Sequence, residues 1–305
     1  MIEIKDASNF IVNYEHYAKK VYRIPLTYFD GRQVNILMCK CGYRWIALPY
    51  MSIGIMETQG EPVKNPPFTL FESEEGNLCA TANVRWEIRD TKAYSNFLYS
   101  DKVNYTIHLR DLTIPLIDSY PPNVRHKIRK AYNNGLIVKQ GGESLVNHFY
   151  KVYSSRMFEI GICPASKYYI RKRIQNGDYF LFVIYKDNKP VGAASLQHTV
   201  MHFMENEFFA TDTEYNCLYT SYLLHYAMMQ FAQSKDSDYS LGRSTYDSSV
   251  HHYKQHFKAE THKLYWSFSH RTKNIRNNKF LYSLWRLLPY RLVLLLAPFV
   301  SRRIY

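Results

Sequence analysis

The chain has 305 residues, 46% hydrophobic and 21% charged, a globular composition that excludes a disordered or low-complexity chain. Lysine and arginine outnumber aspartate and glutamate by 39 to 26, a formal charge of +13, which points to an anionic partner: phosphate, nucleic acid or a lipid surface. Five scattered cysteines (39, 41, 79, 163 and 217) exclude a disulfide framework and fit reduced cytosolic thiols, and Cys39-x-Cys41 lacks the second pair or histidines that a metal site needs.

The opening ten residues carry acids and no apolar signal-peptide core, so a cytoplasmic chain is expected. Residues 9–22 have a helical apolar rhythm, residues 33–41 and 45–50 read as strands around Gly42, and residues 60–67 form a Pro-rich loop. Residues 81–89 alternate Val84, Trp86 and Ile88 with Arg85, Glu87 and Arg89, the pattern of a strand with one apolar face. Residues 105–109 close this half.

The second half begins with a basic helix. No acid occurs in residues 119–142, whereas Arg125, Lys127, Arg129, Lys130 and Lys139 do, and Pro121-Pro122-Asn123 gives a start signal. Arg125 and Arg129 share a face, a cationic stripe beside the apolar one of Ile128 and Tyr132. Helices over residues 145–158 and 166–175 follow, then strands over 179–185, 191–199 and 200–210 with a turn at Asp187-Asn188. Glu205 and Glu207 fall on one face of the third strand, and residues 216–232 form a helix whose Leu218, Tyr222, Leu223, Tyr226 and Met229 stripe belongs to the core.

Residues 239–265 hold the densest chemistry. A short strand breaks at Gly242 and presents Arg243 and Ser244, a polar loop leads to Tyr253-Lys254, and a last strand runs over 263–268. Two strands joined by a cationic connection suggest a site at a sheet edge, where a planar guanidinium and a hydroxyl suit phosphate or carboxylate. If the connecting loop were helical, His252, His256 and Glu260 would align at intervals of four, but no metal is expected there. From residue 269 on there are eight Lys and Arg and no acid. The longest apolar run, 292–300, is nine residues and contains Pro298, too short to span a bilayer, so a basic amphipathic segment with Trp285 at headgroup depth is expected.

These spacings resemble those of the FemAB-like transferases. Gly242-Arg243-Ser244, Tyr253-Lys254 and Leu264-Tyr265 are similar to the family's Gly-Arg-Ser, aromatic-Lys and Leu, and Arg125-x-x-Ile128-Arg129-Lys130-Ala131 with Gly135 resembles its basic helix. Phe149-Tyr150, Arg156, Gly161 and Pro164 resemble a third family segment, whereas Phe257-Lys258 stands where relatives often have Trp-Gly. The resemblance covers roughly residues 80–300.

It implies an α+β fold of two GNAT-like domains in tandem, residues 1–115 and 116–268, followed by the basic tail 269–305. It also implies acyl or aminoacyl transfer to an amine of a lipid- or nucleotide-linked cell-envelope or surface-polysaccharide precursor. On that reading Lys254 and Arg243 clamp phosphate and stabilise an oxyanion, and Glu205 or Glu207 is the base. Ser244, Tyr253, Arg125, Arg129, Lys130 and Arg156 bind substrate. The GNAT pyrophosphate loop corresponds to residues 211–219, which hold two acids and no glycine, disfavouring the usual acyl-CoA mode and leaving aminoacyl-tRNA or acyl-CoA as donor with no bound cofactor. The alternatives are a CoA-dependent N-acyltransferase of a nucleotide sugar and an inactive membrane-surface adaptor. Residues 273–305 would bring the chain to an anionic membrane, on the inner face of the plasma membrane.

Overall fold

The computed structural model describes residues 1–60, 63–200, 202–271 and 287–304. The first part of the chain gives β1 (Ile2–Ile4), α1 (Ser8–Tyr17), β2 (Val21–Thr27), β3 (Gln33–Cys41), β4 (Arg44–Ile46) and β5 (Ile55–Glu57). It continues with β6 (Leu70–Glu72), β7 (Leu78–Ala80), β8 (Arg85–Asp90) and β9 (Leu98–Ile107). The helix expected over 9–22 stops at Tyr17, because Val21 and Tyr22 pair with Cys39 and Met38 in the β2–β3 ladder. The strand expected over 45–50 is only three residues long, and Leu48 already has positive φ.

Next come α2 (Leu116–Ser119), α3 (Pro122–Asn133), β10 (Ile137–Gly141), α4 (Val146–Glu159), α5 (Lys167–Gln175), β11 (Tyr179–Lys186), β12 (Lys189–Val200) and β13 (Phe203–Thr211). The chain ends with α6 (Thr220–Ser234), β14 (Asp238–Ser240), β15 (Ser244–Thr245), α7 (Ser249–Gln255), β16 (Glu260–Phe268) and α8 (Tyr290–Ile304). Asp187 and Asn188 both take positive φ in the tight β11–β12 hairpin, as their short polar side chains allow. Ser166 caps α5 by accepting from the Tyr169 N–H.

All strands join one sheet, whose main path runs β10-β11-β12-β13-β14-β9-β16-β8-β4-β3-β2-β6-β7. The path contains the same device twice. An antiparallel ladder (β12–β13, β3–β4) leads to a short parallel pair (β13–β14, β4–β8), and that pair is followed by an antiparallel neighbour from the other half of the chain. Thus β9 lies beside β14, β16 lies beside β8, and β9 and β16 pair with each other. This arrangement, with α4 and α5 before the β11–β13 meander and α6 between the parallel strands, is two GNAT-like units in tandem.

The core divides by sheet face. Met204, Tyr239, Leu241 and Tyr105 pack with α3, α6 and Phe257 in one cluster, and Leu181, Val183 and Ala193 pack with α4 and α5 in another. A third cluster joins β2, β3, β4 and β8. The Gly242-to-β16 segment is therefore central to the sheet and not at an edge as its sequence suggested. Period 2 fixes which face a residue takes but not which strand lies beside it.

Candidate active site

The site is built where the β13–β14 pair ends. Its ladder matches Phe203 with Asp238, Met204 with Tyr239 and Glu205 with Ser240, and goes no further. Leu241 donates its N–H to the Tyr105 carbonyl, and Gly242 then turns with φ +69°. A Cβ on Gly242 would lie 2.7 Å from the Asn206 carbonyl oxygen, so both the turn and the close approach require glycine. The chain re-enters the sheet as β15, paired with β9 alone.

Lys254 fills the point of parting. The connection read as a polar loop is the short helix α7, capped by the Ser248 side chain, and it carries Lys254 inward to 6% exposure. The Lys254 Nζ donates to the carbonyls of Gly242 (2.9 Å) and Arg243 (3.1 Å) and lies 5.1 Å from the centre of the Tyr105 ring. Burial pushes its pKa down to about 7; Glu205 pulls the value up and the Arg243 guanidinium lowers it further. Glu205 is buried too, and burial raises its pKa, against the opposing effects of Ser52 and Arg243. Both groups are thus driven toward their neutral forms, beside a guanidinium that stays charged.

Trp266 of β16 forms the next wall, with the Arg243 guanidinium 5.4 Å from its ring centre and that of Arg89 at 4.7 Å. Arg89, itself buried, donates to the carbonyls of Pro49 (2.9 Å) and Met51 (3.1 Å), which fixes the segment that carries Ser52 toward Glu205. Glu87 accepts from Arg89 at 3.1 and 3.3 Å. The polar side of β8 is buried beyond Arg85.

Glu207 joins a neighbouring cluster. It accepts from the Tyr169 hydroxyl at 3.0 Å and pairs at 3.5 Å with Arg173, which lies 3.9 Å from the Tyr17 ring centre and 4.5 Å from that of Tyr179. Arg173 also donates to Gln197. This cluster ties α1 to α5 and β11–β13, and the negative charge of Glu207 helps raise the pKa of Glu205.

The remaining expected site residues lie elsewhere. Arg156 is on α4, paired with Glu159 at 2.8 Å. Arg125 faces Asp118 at 3.7 Å, and Arg129 and Lys130 are exposed on α3, with Lys130 over the Tyr219 ring. None of these four acts on the charge of Lys254, whose charged neighbours are Glu205 and Arg243. Tyr253 points into the core against Tyr222, His225 and Phe257, which is where i–1 from an inward lysine can lie only because α7 is covered on two sides. His252 faces Asp247, His256 meets Tyr222, and Glu260 meets His108, so the three do not converge. Among the described residues no group of His, Cys, Asp and Glu is arranged to hold a metal ion. Burial pushes the Cys39 thiol up to about 12.

Sequence reasoning missed Arg89, Trp266, Tyr105, Ser52 and His251. The Arg89 and Trp266 alternations were visible, but nothing in them says that β16 crosses over to lie beside β8. In the loop 211–219, a 3-10 turn over Thr213–Leu218 is capped by Asp212, and Lys189 faces Asp212 and Glu214.

Fold and site together define a tandem GNAT-like chain with a buried lysine at the end of its β13–β14 parallel pair. No protein-family model and no curated protein sequence matches the chain. Solved structures do match in fold. FemX aligns with a TM-score of 0.56 at 11% identity, over 85% of this chain and 90% of that one. A domain described as the C-terminal part of a lysylphosphatidylglycerol synthetase from Agrobacterium fabrum aligns at 0.51 and 11%, over 90% of each. A conserved protein of unknown function from Bacteroides thetaiotaomicron aligns at 0.50 and 8%, over 85% and 89%. The chain has the FemAB-like fold.

Proposed function

We propose that the chain transfers an acyl or aminoacyl group to an amine of a phosphate-bearing cell-envelope precursor, lipid- or nucleotide-linked. The observation that carries this reading is Lys254, a buried amine with a pKa near neutrality, held between two backbone carbonyls beside Arg243. Such a cation can gain its full charge when a phosphate or a developing oxyanion arrives, and burial strengthens that interaction. Arg243 supplies the permanent charge and Ser244 a hydroxyl. Glu205, whose basicity burial raises, is the carboxylate proposed to meet the attacking amine.

The names of two fold neighbours, FemX and a lysylphosphatidylglycerol synthetase domain, support a cell-envelope acceptor. Aminoacyl-tRNA is the favoured donor, because Asp212 and Glu214 occupy the loop where an acyl-CoA pyrophosphate would need free backbone amides. Membrane attachment through residues 273–305 belongs to the same reading. The structure describes only the end of this segment: Trp285 lies outside the described residues. Within α8, Val293 and Ala297 are buried and Tyr290 meets Ser154 at 2.7 Å, while Leu292 and Leu295 are exposed, as is Leu287 just before the helix. One face is docked on α4, and the apolar residues of the other are available to an interface. No described helix is long and apolar enough to cross a membrane.

The test is a screen of alanyl-, seryl- and lysyl-tRNA and of acetyl-CoA against amine-bearing lipid-linked and nucleotide-linked precursors. Transfer by the wild type, lost in Lys254→Ala and Arg243→Ala variants of unchanged melting temperature, is the expected result. Low-micromolar binding and turnover of acetyl-CoA instead would favour the CoA-dependent alternative, and wild-type turnover in both variants would remove the proposed site.

A further inference from the structure

We propose that Tyr105 and His251 form a proton relay ending on Ser244, which carries away the proton that the acceptor amine loses during transfer; this rests on the function proposed above. Three elements distant in sequence converge on one hydroxyl. The Tyr105 Oη, from β9, lies 2.6 Å from the Ser244 Oγ of β15 and 2.5 Å from the His251 Nδ1 of α7. All three residues are buried, Tyr105 completely.

One partner would satisfy a buried tyrosine hydroxyl. Here it has two, each able to accept and release a proton, and they lie on opposite sides of it in the chain of contacts. The inner end, Ser244, adjoins Arg243, whose carbonyl holds Lys254. The outer end, His251, lies under the exposed ring of Tyr246 at 5.0 Å. His251 and Lys254 are three residues apart on α7 and turn the same face toward Tyr105. Tyr105 belongs to the first half of the chain, so the relay is completed by the strand exchange.

The step balances as a single displacement. The acceptor nitrogen forms its bond to the donor acyl carbon as the carbon–oxygen bond to the carrier breaks, and the carrier oxygen leaves with the electron pair and takes a proton from solvent. The amine proton passes to the Ser244 Oγ, the Ser244 proton to the Tyr105 Oη, and the Tyr105 proton to the His251 Nδ1. Ser244 and Tyr105 end unchanged, and His251 releases the proton to solvent. In this scheme Glu205 orients the amine, and Ser244 takes its proton.

The groups that face His251 are Tyr105 from β9, Tyr246 from the preceding turn and His252 on its own helix, with Asp247 on His252 at 3.1 Å; Ser244 of β15 and Lys254 of the same helix meet the far side of Tyr105. The experiment compares wild type with Tyr105→Phe and His251→Gln, using the aminoacyl-tRNA and lipid-linked amine that react in the screen above. Each variant is expected to lower kcat about 100-fold at unchanged KM, and to remove the solvent deuterium isotope effect on kcat that a proton passed along the line produces, which a packing role would leave in place. If Tyr105→Phe does not fold, His251→Gln alone decides. Wild-type kcat in the folded variants across the pH range overturns the relay while leaving the transferase reading intact. Absence of turnover in the wild type with every pair overturns the transferase reading and the relay with it.

Discussion

The parallel strand pairs β4–β8 and β13–β14 end in the same way and are completed differently. Where β4 parts from β8, the Arg89 Nη1 donates to the carbonyls of Pro49 and Met51; where β13 parts from β14, the Lys254 Nζ donates to the carbonyls of Gly242 and Arg243. In the first gap the cation is answered by Glu87 at hydrogen-bond distance. In the second, the nearest acid is Glu205, buried and pushed toward its neutral form, and the lysine is left with a pKa of about 7. A paired arginine makes a brace. A lysine without a strong ion pair, in the same mould, is a group held ready to change its charge, so one architectural device yields a structural joint in one half and, on the function proposed above, the reactive centre in the other.

The comparison predicts opposite phenotypes, and the largest effect tests it most directly. Lys254→Met should lower transfer by a factor of about 100 to 1,000, the range for losing one preorganised electrostatic donor, while the chain stays folded; single-turnover rates and a thermal melt read both. Arg89→Met should do the reverse, costing about 3–5 kcal/mol of stability by stranding buried Glu87 and showing as a lowered urea midpoint. Stability loss in Lys254→Met as large as in Arg89→Met would erase the distinction between the two gaps.

Gly242→Ala should cost about 2–3 kcal/mol, combining a left-handed backbone with a methyl group against the Asn206 carbonyl, and should lower activity further by moving Arg243. Urea melts and turnover of the purified variant check both parts. The pH response sharpens the contrast more finely. Because the folded-state pKa of Lys254 is depressed to about 7 from 10.5, the unfolded chain binds more protons between those values. The Lys254 contribution to stability therefore rises with pH across that window. Between pH 7 and 9 the urea midpoint of the wild type should climb relative to that of Lys254→Met. A flat difference would mean that the lysine keeps its proton. The smallest change is Lys258→Gly. Lys258 takes φ +54° at the turn where the family's glycine would stand, and the substitution should stabilise the chain by about 0.5–1 kcal/mol, read as a small rise in melting temperature.

Local chemistry was legible in the sequence. Asp187-Asn188 announced its hairpin, Pro121-Pro122 the start of α3, and the Gly242-Arg243-Ser244 spacing the part of the chain where Lys254 is held. What the sequence did not disclose depends on partners far along the chain. Tyr253 and Lys254 looked equally available, and only the packing of α7 between Tyr222 and Tyr105 sends the tyrosine into the core and the lysine into the gap. Arg89 followed the pattern of an outward-facing strand residue, and β16 with Trp266 converts that outside into an inside. The cations of α3 formed the most conspicuous basic motif, yet a solvated helix face and a binding face have the same composition, and Arg125 is met by Asp118.

The exchanged strands also have a consequence for how the chain is made. Both β8 and β9 run antiparallel to β16, hence parallel to each other, so the seven residues between them cannot fold them into a hairpin, and a vacant slot separates them until β16 arrives. On a ribosome the end of β9 emerges on the order of ten seconds before β16 does. Through most of that interval the first half carries the open edge of β8, bearing Trp86, and both edges of β9, bearing Tyr105, because β14, β15 and β16 all come from the second half; this is the kind of surface that chaperones shield and that pairs wrongly when left alone. The last strand works as a closing stitch: the half translated first cannot be finished without the half translated second, and a nascent chain released before residue 268 lacks the strand that completes both.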